Sequence, residues 1–470
     1  VASVIIVVTR GRRGADGGTA QTADNSASNR RAHRRAHHCA RTGAESATRR
    51  EALSALAPGR PSGTAQAAPE SGAATPVTVS LRDIAAGPST DGLYAQWLRG
   101  EVDLAADEGM LPPSEVAARQ AASLALPPMP ARDAAAAAPS AAPLTLGTGW
   151  ASMTYPDAGG WVPPDPHLAA GRNHLIAAVN SAFAVYDKSG ALLAGPFDFA
   201  QFMNSNPRCA DSFAFDPNVV YDESADRFIL AIDSAGLYYC LAVSATSDPL
   251  GNWRIYAFQV GNSVDFFDYP HLGVGVNQIF AGANIFASSF KAARVYAFNK
   301  SALSAGTSAA WASKTLPTTD DTPIPLHLHG WDQGTWPASA DHYFITDYNY
   351  NGATYRIWRW RNPLNGTSPA AVGVVNLQTA TGVTAGYPID APQLGSAARI
   401  QANDYRPHDF EYRNGFAWTA QTVACNPGGG TVNCVRWAKI APATATVVAA
   451  GVSSSAGEHR IFPNVAVNHC

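Results

Sequence analysis

The run that decides the fold opens at Asp216-Pro217-Asn218-Val219-Val220-Tyr221-Asp222 and continues through Arg227–Ile232, Tyr238–Ser244 and Trp253–Gln259. It reads as four short strands joined by turns, the first beginning at a proline. The same order recurs along the chain. Strand openings stand at Asp165-Pro166-His167, Asp216-Pro217-Asn218, Tyr269-Pro270-His271, Pro325-Leu326-His327, Arg406-Pro407-His408 and Phe462-Pro463-Asn464, so the prolines follow one another at steps of 51, 53, 55, 82 and 56 residues. Second strands are predicted at His174–Val179, Arg227–Ile232, Gln278–Ala283, His342–Asp347 and Gly415–Gln421, and third strands at Ala182–Asp187, Tyr238–Ser244, Arg294–Asn299, Thr354–Trp360 and Asn433–Ile440. Fourth strands follow near Leu192 and at Trp253–Gln259, Trp311–Leu316, Val372–Leu377 and Thr446–Ala450. Gly171-Arg172-Asn173, Asp187-Lys188-Ser189-Gly190, Asn351-Gly352 and Asn414-Gly415 supply the turn residues that tight hairpins require.

A four-strand meander repeated at a period of about fifty residues is the pattern of propeller blades. The expected fold is an all-β propeller with four-stranded antiparallel blades. Five blades are readable, together with the start of a sixth, and the full protein is expected to have six or seven. The long step predicts an insertion of about one half-blade within Ala370–Ala398. The sixth copy breaks off at Cys470. A strand near Trp150–Tyr155 is expected to help complete the last blade, and because one strand cannot replace three, the chain is expected to be incomplete at its C-terminal end.

Composition agrees with this reading. Charged residues make up 15% of the 470 positions, while Gly (40), Pro (33) and 10% aromatics suit many short strands and turns. A formal net charge of −3 argues against a basic nucleic-acid binder, and Arg30-Arg31-Ala32-His33-Arg34-Arg35 reads as a solvated tail. No segment has the apolar length needed to span a bilayer, and Val4–Val8, followed by Arg10 and Arg12, makes a poor secretion signal. Residues 1–75 are low-complexity Ala, Arg, Gly, Ser and Thr, expected to be disordered. Residues 76–129 read as a short helical pro-segment or spacer, with Pro112-Pro113-Ser114-Glu115 opening a helix. Residues 130–143 read as an Ala/Pro linker, and 144–470 as the propeller.

Cys425 and Cys434 bracket a Gly-rich loop that brings their sulfurs together, and Cys209 and Cys240 are a second candidate pair. The alternative is buried free thiols. Disulfides would place the protein in an oxidising compartment, hence an extracellular or cell-surface location. Cys39 and Cys470 have no evident partners.

Pro163-Pro164-Asp165, Gly171-Arg172-Asn173-His174, Phe183-Ala184-Val185-Tyr186-Asp187, Asp216-Pro217, Ala242-Val243-Ser244, Asp268-Tyr269-Pro270, Val295-Tyr296-Ala297-Phe298 and Tyr412-Arg413-Asn414-Gly415 together resemble a family of secreted bacterial β-propeller proteins. The likeness runs from about residue 161 to the end. It implies a propeller and a secreted or surface location, and brings no settled activity. Thr246-Ser247-Asp248-Pro249-Leu250-Gly251-Asn252-Trp253 loosely resembles the Asp-box of sialidase-like propellers, with its Gly displaced by one position. Such boxes are structural turns.

The residues following the opening prolines are His167, Asn218, His271, His408 and Asn464, with His327 one place displaced. Equivalent positions on innermost strands form a ring around the channel, and Asp165, Asp216 and Asp268 stand just before those prolines. Converging imidazoles and carboxylates could bind a metal or act as acid and base, so Asp165, Asp268, His271 and His408 are the catalytic candidates. The competing account is structural: each His or Asn ties its blade to the next through a hydrogen bond. His327 and His329 lie on one strand face, suited to a ligand or metal, although no Cys or Glu nearby in sequence completes a shell. Asp347, Asn349 and Asn351 match the start of a calcium loop but lack its terminal Glu, so an Asn-Gly hairpin is the favoured reading and no cofactor is expected. Trp358 and Trp360 share a face and could stack on sugars, or pack between blades. There is no His-Glu-x-x-His, phosphate loop or Gly-x-Ser-x-Gly elbow. The leading expectation is a binding module that recognises a glycan or surface protein through its loop face. A glycosidase or polysaccharide lyase is the alternative, and a structural envelope protein the third.

Overall fold

The computed structural model describes residues 4–10, 69–87, 110–130, 149–154, 156–159, 163–210, 214–262, 264–287 and 289–468. Expectations for residues 11–68 and 131–143, and for Cys39 and Cys470, lie outside the described residues. Among the described residues, five elements precede the blades: β1 (Val4–Arg10), β2 (Ser71–Ala74), β3 (Val77–Ser80), a short 3-10 turn (Leu81–Asp83) and helix α1 (Pro113–Leu124).

Five antiparallel blades then form a ring, a β-propeller. The first contains β4 (His167–Ala170), β5 (His174–Val179), β6 (Ala182–Asp187) and β7 (Leu192–Asp198), closed by α2 (Phe199–Met203). The second contains β8 (Ala214–Asp222), β9 (Arg227–Ser234), β10 (Tyr238–Ser244) and β11 (Asn252–Gln259). The third contains β12 (Phe266–Val274), β13 (Gln278–Phe286), β14 (Phe290–Asn299) and, after helix α3 (Lys300–Ala305), β15 (Ala309–Thr315). The fourth opens with β16 (Asp320–Pro325). The two-residue strand β17 (His327–Leu328) comes next in the chain but belongs to the fifth blade. The fourth continues with β18 (His342–Tyr348), β19 (Thr354–Trp360) and β20 (Ala370–Asn376). The long step is occupied by α4 (Leu377–Thr381) and a small hairpin, β21 (Ala391–Pro392) with β22 (Arg399–Ile400). The fifth blade contains β23 (Glu411–Arg413), β24 (Phe416–Cys425), β25 (Val432–Ala441) and β26 (Thr446–Ser453), with β17 parallel to β23 at its inner edge. Finally β27 (Arg460–Val467) pairs with β1.

Blades pack face to face, so their middle strands are buried on both sides. Ile229, Leu241, Tyr256 and Phe258 of the second blade interleave with Val274, Ile279, Tyr296 and Phe298 of the third. Full burial of such a side chain stabilises by about 1.5–3 kcal/mol. The sulfur pairs are both joined, Cys209 to Cys240 and Cys425 to Cys434, with Cα–Cα distances of 6.0 and 5.9 Å. These bonds fit an extracellular protein. Among the described residues, no helix is long and apolar enough to cross a membrane.

Inner strands share one irregularity. Register slips between Phe215 and Asn218, between Asp268 and His271, and between Asp321 and Ile324. At each slip the residue before the proline has positive φ: Asp216 (52°), Tyr269 (52°) and Thr322 (44°), as do Asp165 (36°) and Phe462 (49°). A proline is tolerated there because the bulge removes its position from the ladder. Such angles are unfavourable for residues with a Cβ, so the surrounding structure must hold them.

This repeat corrects two expectations. The fourth blade opens at Thr322-Pro323-Ile324, not at Pro325, because of two prolines two residues apart the bulge takes the first. His327 is therefore no member of the ring; it lies on β17, which crosses to the fifth sheet. Residues 150–154 form no strand, and the strand bonded to β27 is β1.

Residues within 71–87 run along outer edges. β2 pairs with β15, β3 pairs with β11, and Gly87 bridges Phe197 on β7. Helix α1 docks on later blades, with Arg119 Nη1 donating to the Tyr350 carbonyl (2.6 Å) and Thr431 Oγ1 donating to the Ser123 carbonyl (2.8 Å). Edges that would otherwise offer unpaired backbone groups are thereby covered.

Candidate functional site

The bulged openings set up a hydrogen-bond repeat between neighbouring blades. The N–H of the positive-φ residue donates to a side chain of the preceding blade: Asp216 to Asn180 Oδ1 (2.7 Å), Tyr269 to Asp216 Oδ2 (3.0 Å), Thr322 to Asn284 Oδ1 (2.8 Å) and Phe462 to Thr422 Oγ1 (3.1 Å). Three residues further along each strand a second N–H does the same: Val219 donates to His167 Nδ1 (3.4 Å), Leu272 to Asn218 Oδ1 (3.2 Å) and Val465 to Asp409 Oδ2 (2.6 Å). His167 and Asn218 are thus ties between blades.

The repeat breaks at His271. Its counterpart donor on the fourth blade, three residues after Thr322, is Pro325, which has no N–H. Among the described residues His271 Nε2 has no hydrogen-bond partner, although it is Nδ1 that takes this N–H in His167. Tyr269 packs edge-on against the ring at 4.8 Å. Burial, followed by the neighbouring His408 and His167 imidazoles and Arg406, holds His271 well below the ordinary histidine range. Burial and then Arg406 lower His408 to about 4. Both rings are therefore neutral at neutral pH and offer a lone pair rather than a charge.

Above this layer, at the N-terminal ends of the inner strands, carboxylates gather. Asp165 Oδ2 accepts from Asn180 Nδ2 (2.5 Å), and the same amide receives the Asp216 N–H through its oxygen. Asp216 and Asp268 share one donor, the Tyr269 N–H, at 3.0 and 2.8 Å. Burial, then the charges of Asp268 and Asp165, push Asp216 well above the usual carboxylate range, and burial also raises Asp165. Three neighbouring acids cannot all ionise in a half-buried space, so the group retains a proton. Across the mouth, Arg406 grips Asp404 through two bonds of 2.7 Å and lies over the Tyr269 ring at 4.4 Å.

At the opposite end His329 is clamped between Glu223 Oε1 (Nδ1, 3.1 Å) and Glu411 Oε2 (Nε2, 2.6 Å) and stacks on His327 at 4.5 Å. The sequence offered no nearby Glu; the fold brings two, one from the β8–β9 turn and one from β23. Burial would lower His329, but the two carboxylates outweigh it and raise the ring to about 9. Burial and the adjacent His329 charge take His327 to about 4. With both nitrogens of His329 engaged the cluster reads as a latch. Among the described residues no group of three His, Cys, Asp or Glu side chains is arranged to hold a metal ion.

No protein-family model matches the chain, and no curated protein matches it. Solved structures align with it at low similarity. An exo-beta-1,3-galactanase from Clostridium thermocellum is 10% identical over 62% of this chain and 64% of that one, with a TM-score of 0.28. A subtype N10 neuraminidase-like protein of the A/little yellow-shouldered bat/Guatemala strain is 9% identical over 61% and 82%, with a TM-score of 0.32. A GH43 endo-arabinanase from Bacillus licheniformis is 12% identical over 57% and 92%, with a TM-score of 0.25. The chain spans just under two thirds of the galactanase's length. These likenesses carry no function.

Several candidates from the sequence are placed away from the mouth or within it for other reasons. Trp358 and Trp360 are buried; their indole N–H groups donate to Asp320 Oδ1 and the Thr367 carbonyl at 3.0 Å each, and both rings pack with Phe280 and Phe344. This overturns the sugar-stacking reading, since strand alternation put them on one face but that face is an interblade core. Asn351 Oδ1 accepts the Ala353 and Thr354 N–H groups and Asn349 adopts positive φ, a hairpin turn rather than a calcium shell. Asp347 is buried. Asp216, Asp321, Asp404, Arg406, Glu223 and Glu411 were not singled out as site residues by sequence. Of these, Asp216 and Arg406 carried a signal, their place before a repeated proline.

Proposed function

We propose that the protein cleaves a glycosidic bond at the acid-lined mouth, with the Asp165–Asp216–Asp268 group supplying a proton and His271 accepting one. The observation that carries this reading is the freed His271 imidazole, set one layer below carboxyls that hold a proton. A buried, strongly perturbed cluster at a channel mouth is where acid–base chemistry is to be sought. Acetal cleavage is the reaction that these groups suit, because it needs a protonated carboxyl for the leaving oxygen and a base for water, without a nucleophilic Ser or Cys or an oxyanion hole. Asp216 transfers its proton to the glycosidic oxygen as the C–O bond breaks. Water adds to the anomeric carbon and gives its proton to His271, and solvent returns that proton to the acid group. The two disulfides support an extracellular setting, where polysaccharides are met.

The test is turnover of a panel of polysaccharides by the full chain and by Asp216→Asn, His271→Gln and Pro325→Ala. Loss of about 10²–10⁴ in kcat is expected for the first two. Pro325→Ala supplies the N–H that the blade repeat carries at this position and is expected to slow turnover with little change in KM. Unchanged rates in Asp216→Asn and His271→Gln would refute the assignment. Glycan binding without turnover by the parent protein would return the mouth to a recognition role.

A further inference from the structure

The stretch after β17, residues 329–336, contains no helix or strand and lies at the end of the channel opposite the acid mouth. Four blades hold it there. The first supplies Arg172, whose Nη2 pairs with Asp332 Oδ2 (2.7 Å). The second supplies Glu223, whose Oε2 accepts the Gly330 and Trp331 N–H groups (2.9 and 3.0 Å). The third supplies Lys300, its Nζ 5.8 Å from the centre of the Trp336 ring. From the fifth, Asn414 Oδ1 accepts the Thr335 N–H and Arg413 Nη1 donates to the Gln333 carbonyl, both at 2.7 Å.

The Trp331 ring is 50% exposed although its backbone is fixed, and Trp336 packs edge-on against it at 5.3 Å. An indole already held in place loses little freedom when a ligand covers it, and offers a large flat area. Its surroundings indicate the ligand. Arg172 bridges Asp332 and Asp226 (2.7 and 3.3 Å), and the Arg172 and Asp332 side chains are 52% and 49% exposed. The core of a protein interface is apolar and depleted of charge, so these groups do not suit one. They do offer donors and acceptors to hydroxyl groups, while the indole face takes a patch of C–H bonds. A pyranose whose hydroxyls and linkages are equatorial presents that combination, a C–H face with a polar rim. Two carboxylates against one guanidinium disfavour an acidic sugar.

We propose that Trp331, with Arg172 and Asp332 beside it, is a second carbohydrate-binding surface that stacks on a neutral β-linked glucan at the end of the channel remote from the acid group. This surface needs no chemistry at the mouth. It would hold a polysaccharide to the protein whether or not the acid group cleaves one.

The test is calorimetric titration of the full chain with cellohexaose and with hexagalacturonate, its acidic counterpart, joined to oxidation of Trp331 by N-bromosuccinimide read by peptide mass spectrometry. Cellohexaose is expected to bind about tenfold or more tightly than hexagalacturonate and to slow the oxidation of Trp331. Trp331→Ala is expected to weaken cellohexaose binding about tenfold, and Trp331→Tyr, which keeps a flat ring, to stay within about threefold of the parent. Unfolding curves check that both variants fold, which half-exposure of the ring favours. Asp216→Asn and His271→Gln are expected to leave the protection of Trp331 unchanged, so failure of the catalytic reading and failure of this one are told apart. No binding of cellohexaose by the parent, equal affinity in Trp331→Ala, or oxidation of Trp331 indifferent to the sugar would overturn the proposal. So would self-association of the parent that Trp331→Ala abolishes while sugar binding persists, because the indole would then face a second copy of the chain.

Discussion

Raising the pH from 6 to 9.5 should weaken the fold through one histidine. His329 bonds Glu223 and Glu411 at 3.1 and 2.6 Å, and its pKa rises to about 9 despite burial. A histidine raised above its unfolded value of about 6.5 contributes stability that is fully present below 6.5 and lost as pH climbs through 9. The interval corresponds to about 3 kcal/mol. Side-chain exposures of 27% for His329, 21% for Glu223 and 15% for Glu411 admit some screening, so about 2 kcal/mol is the working expectation. Urea unfolding of the parent protein and His329→Gln at pH 6, 7.5 and 9.5 isolates this contribution. Asp347, which burial and then Asp404 raise to about 8, also destabilises the fold as pH rises, but equally in both proteins, and it cancels in the difference. The parent should lose about 2 kcal/mol more than the variant between pH 6 and 9.5. Parallel losses would show that the His329 clamp stores no ionisation energy. At the acidic end the clamp acts through its other partner. Burial opposes ionisation of Glu223, but His329 and the Gly330 and Trp331 N–H groups hold it at about 2. Its share is therefore present above pH 4.5 and lost as pH falls through 2.

Trp358→Ala should cost about 3–5 kcal/mol in urea unfolding, because it empties an interblade core and strips a donor from buried Asp320. Glycan binding per folded molecule should stay unchanged, and a selective loss of binding would restore the sugar-stacking role. Removing Cys209–Cys240, which spans a sequence separation of 31, should cost about 3–4 kcal/mol, against about 2–3 for Cys425–Cys434 with a separation of 9. The reverse order would refute the chain-entropy account. Asn180→Ala leaves the Asp216 N–H without its acceptor between the first two blades and should cost about 1–3 kcal/mol by the same assay.

The fold was legible where local chemistry alone sets the element. Strands β5, β6, β10 and β19 have the predicted bounds, because Gly, Asn and Asp at the flanking turns fix where pairing stops. Helix α1 was announced by its leading prolines. Edge strands β2 and β3 were not legible: Ser71-Gly72-Ala73-Ala74 has no strand composition and is extended only because β15 offers an open edge. The misplaced fourth opening has a similar cause, since Pro323 and Pro325 look alike in sequence and only the backbone bulge tells them apart. For the site, sequence supplied Asp165, Asp268, His271 and His408. It could not supply Glu411 beside His329 or Asp404 beside Asp321, because the members of each pair are far apart in the chain and share no local pattern.

The structural and functional accounts of the ring of His and Asn are each right for different members. A residue that recurs with the blade period meets the same neighbour each time, so the economical use of its side chain is a tie to the next blade, as His167 and Asn218 show. Such a tie needs two partners, and either can break it. The histidine at 271 keeps the repeated position while the N–H that its counterparts accept is replaced by Pro325, and its Nε2 lies buried without a partner among the described residues. Leaving a buried polar group unpaired costs about 1–3 kcal/mol, a loss that packing alone gives no reason to keep. Function is therefore to be sought at the position where the partner, rather than the residue itself, departs from the repeat.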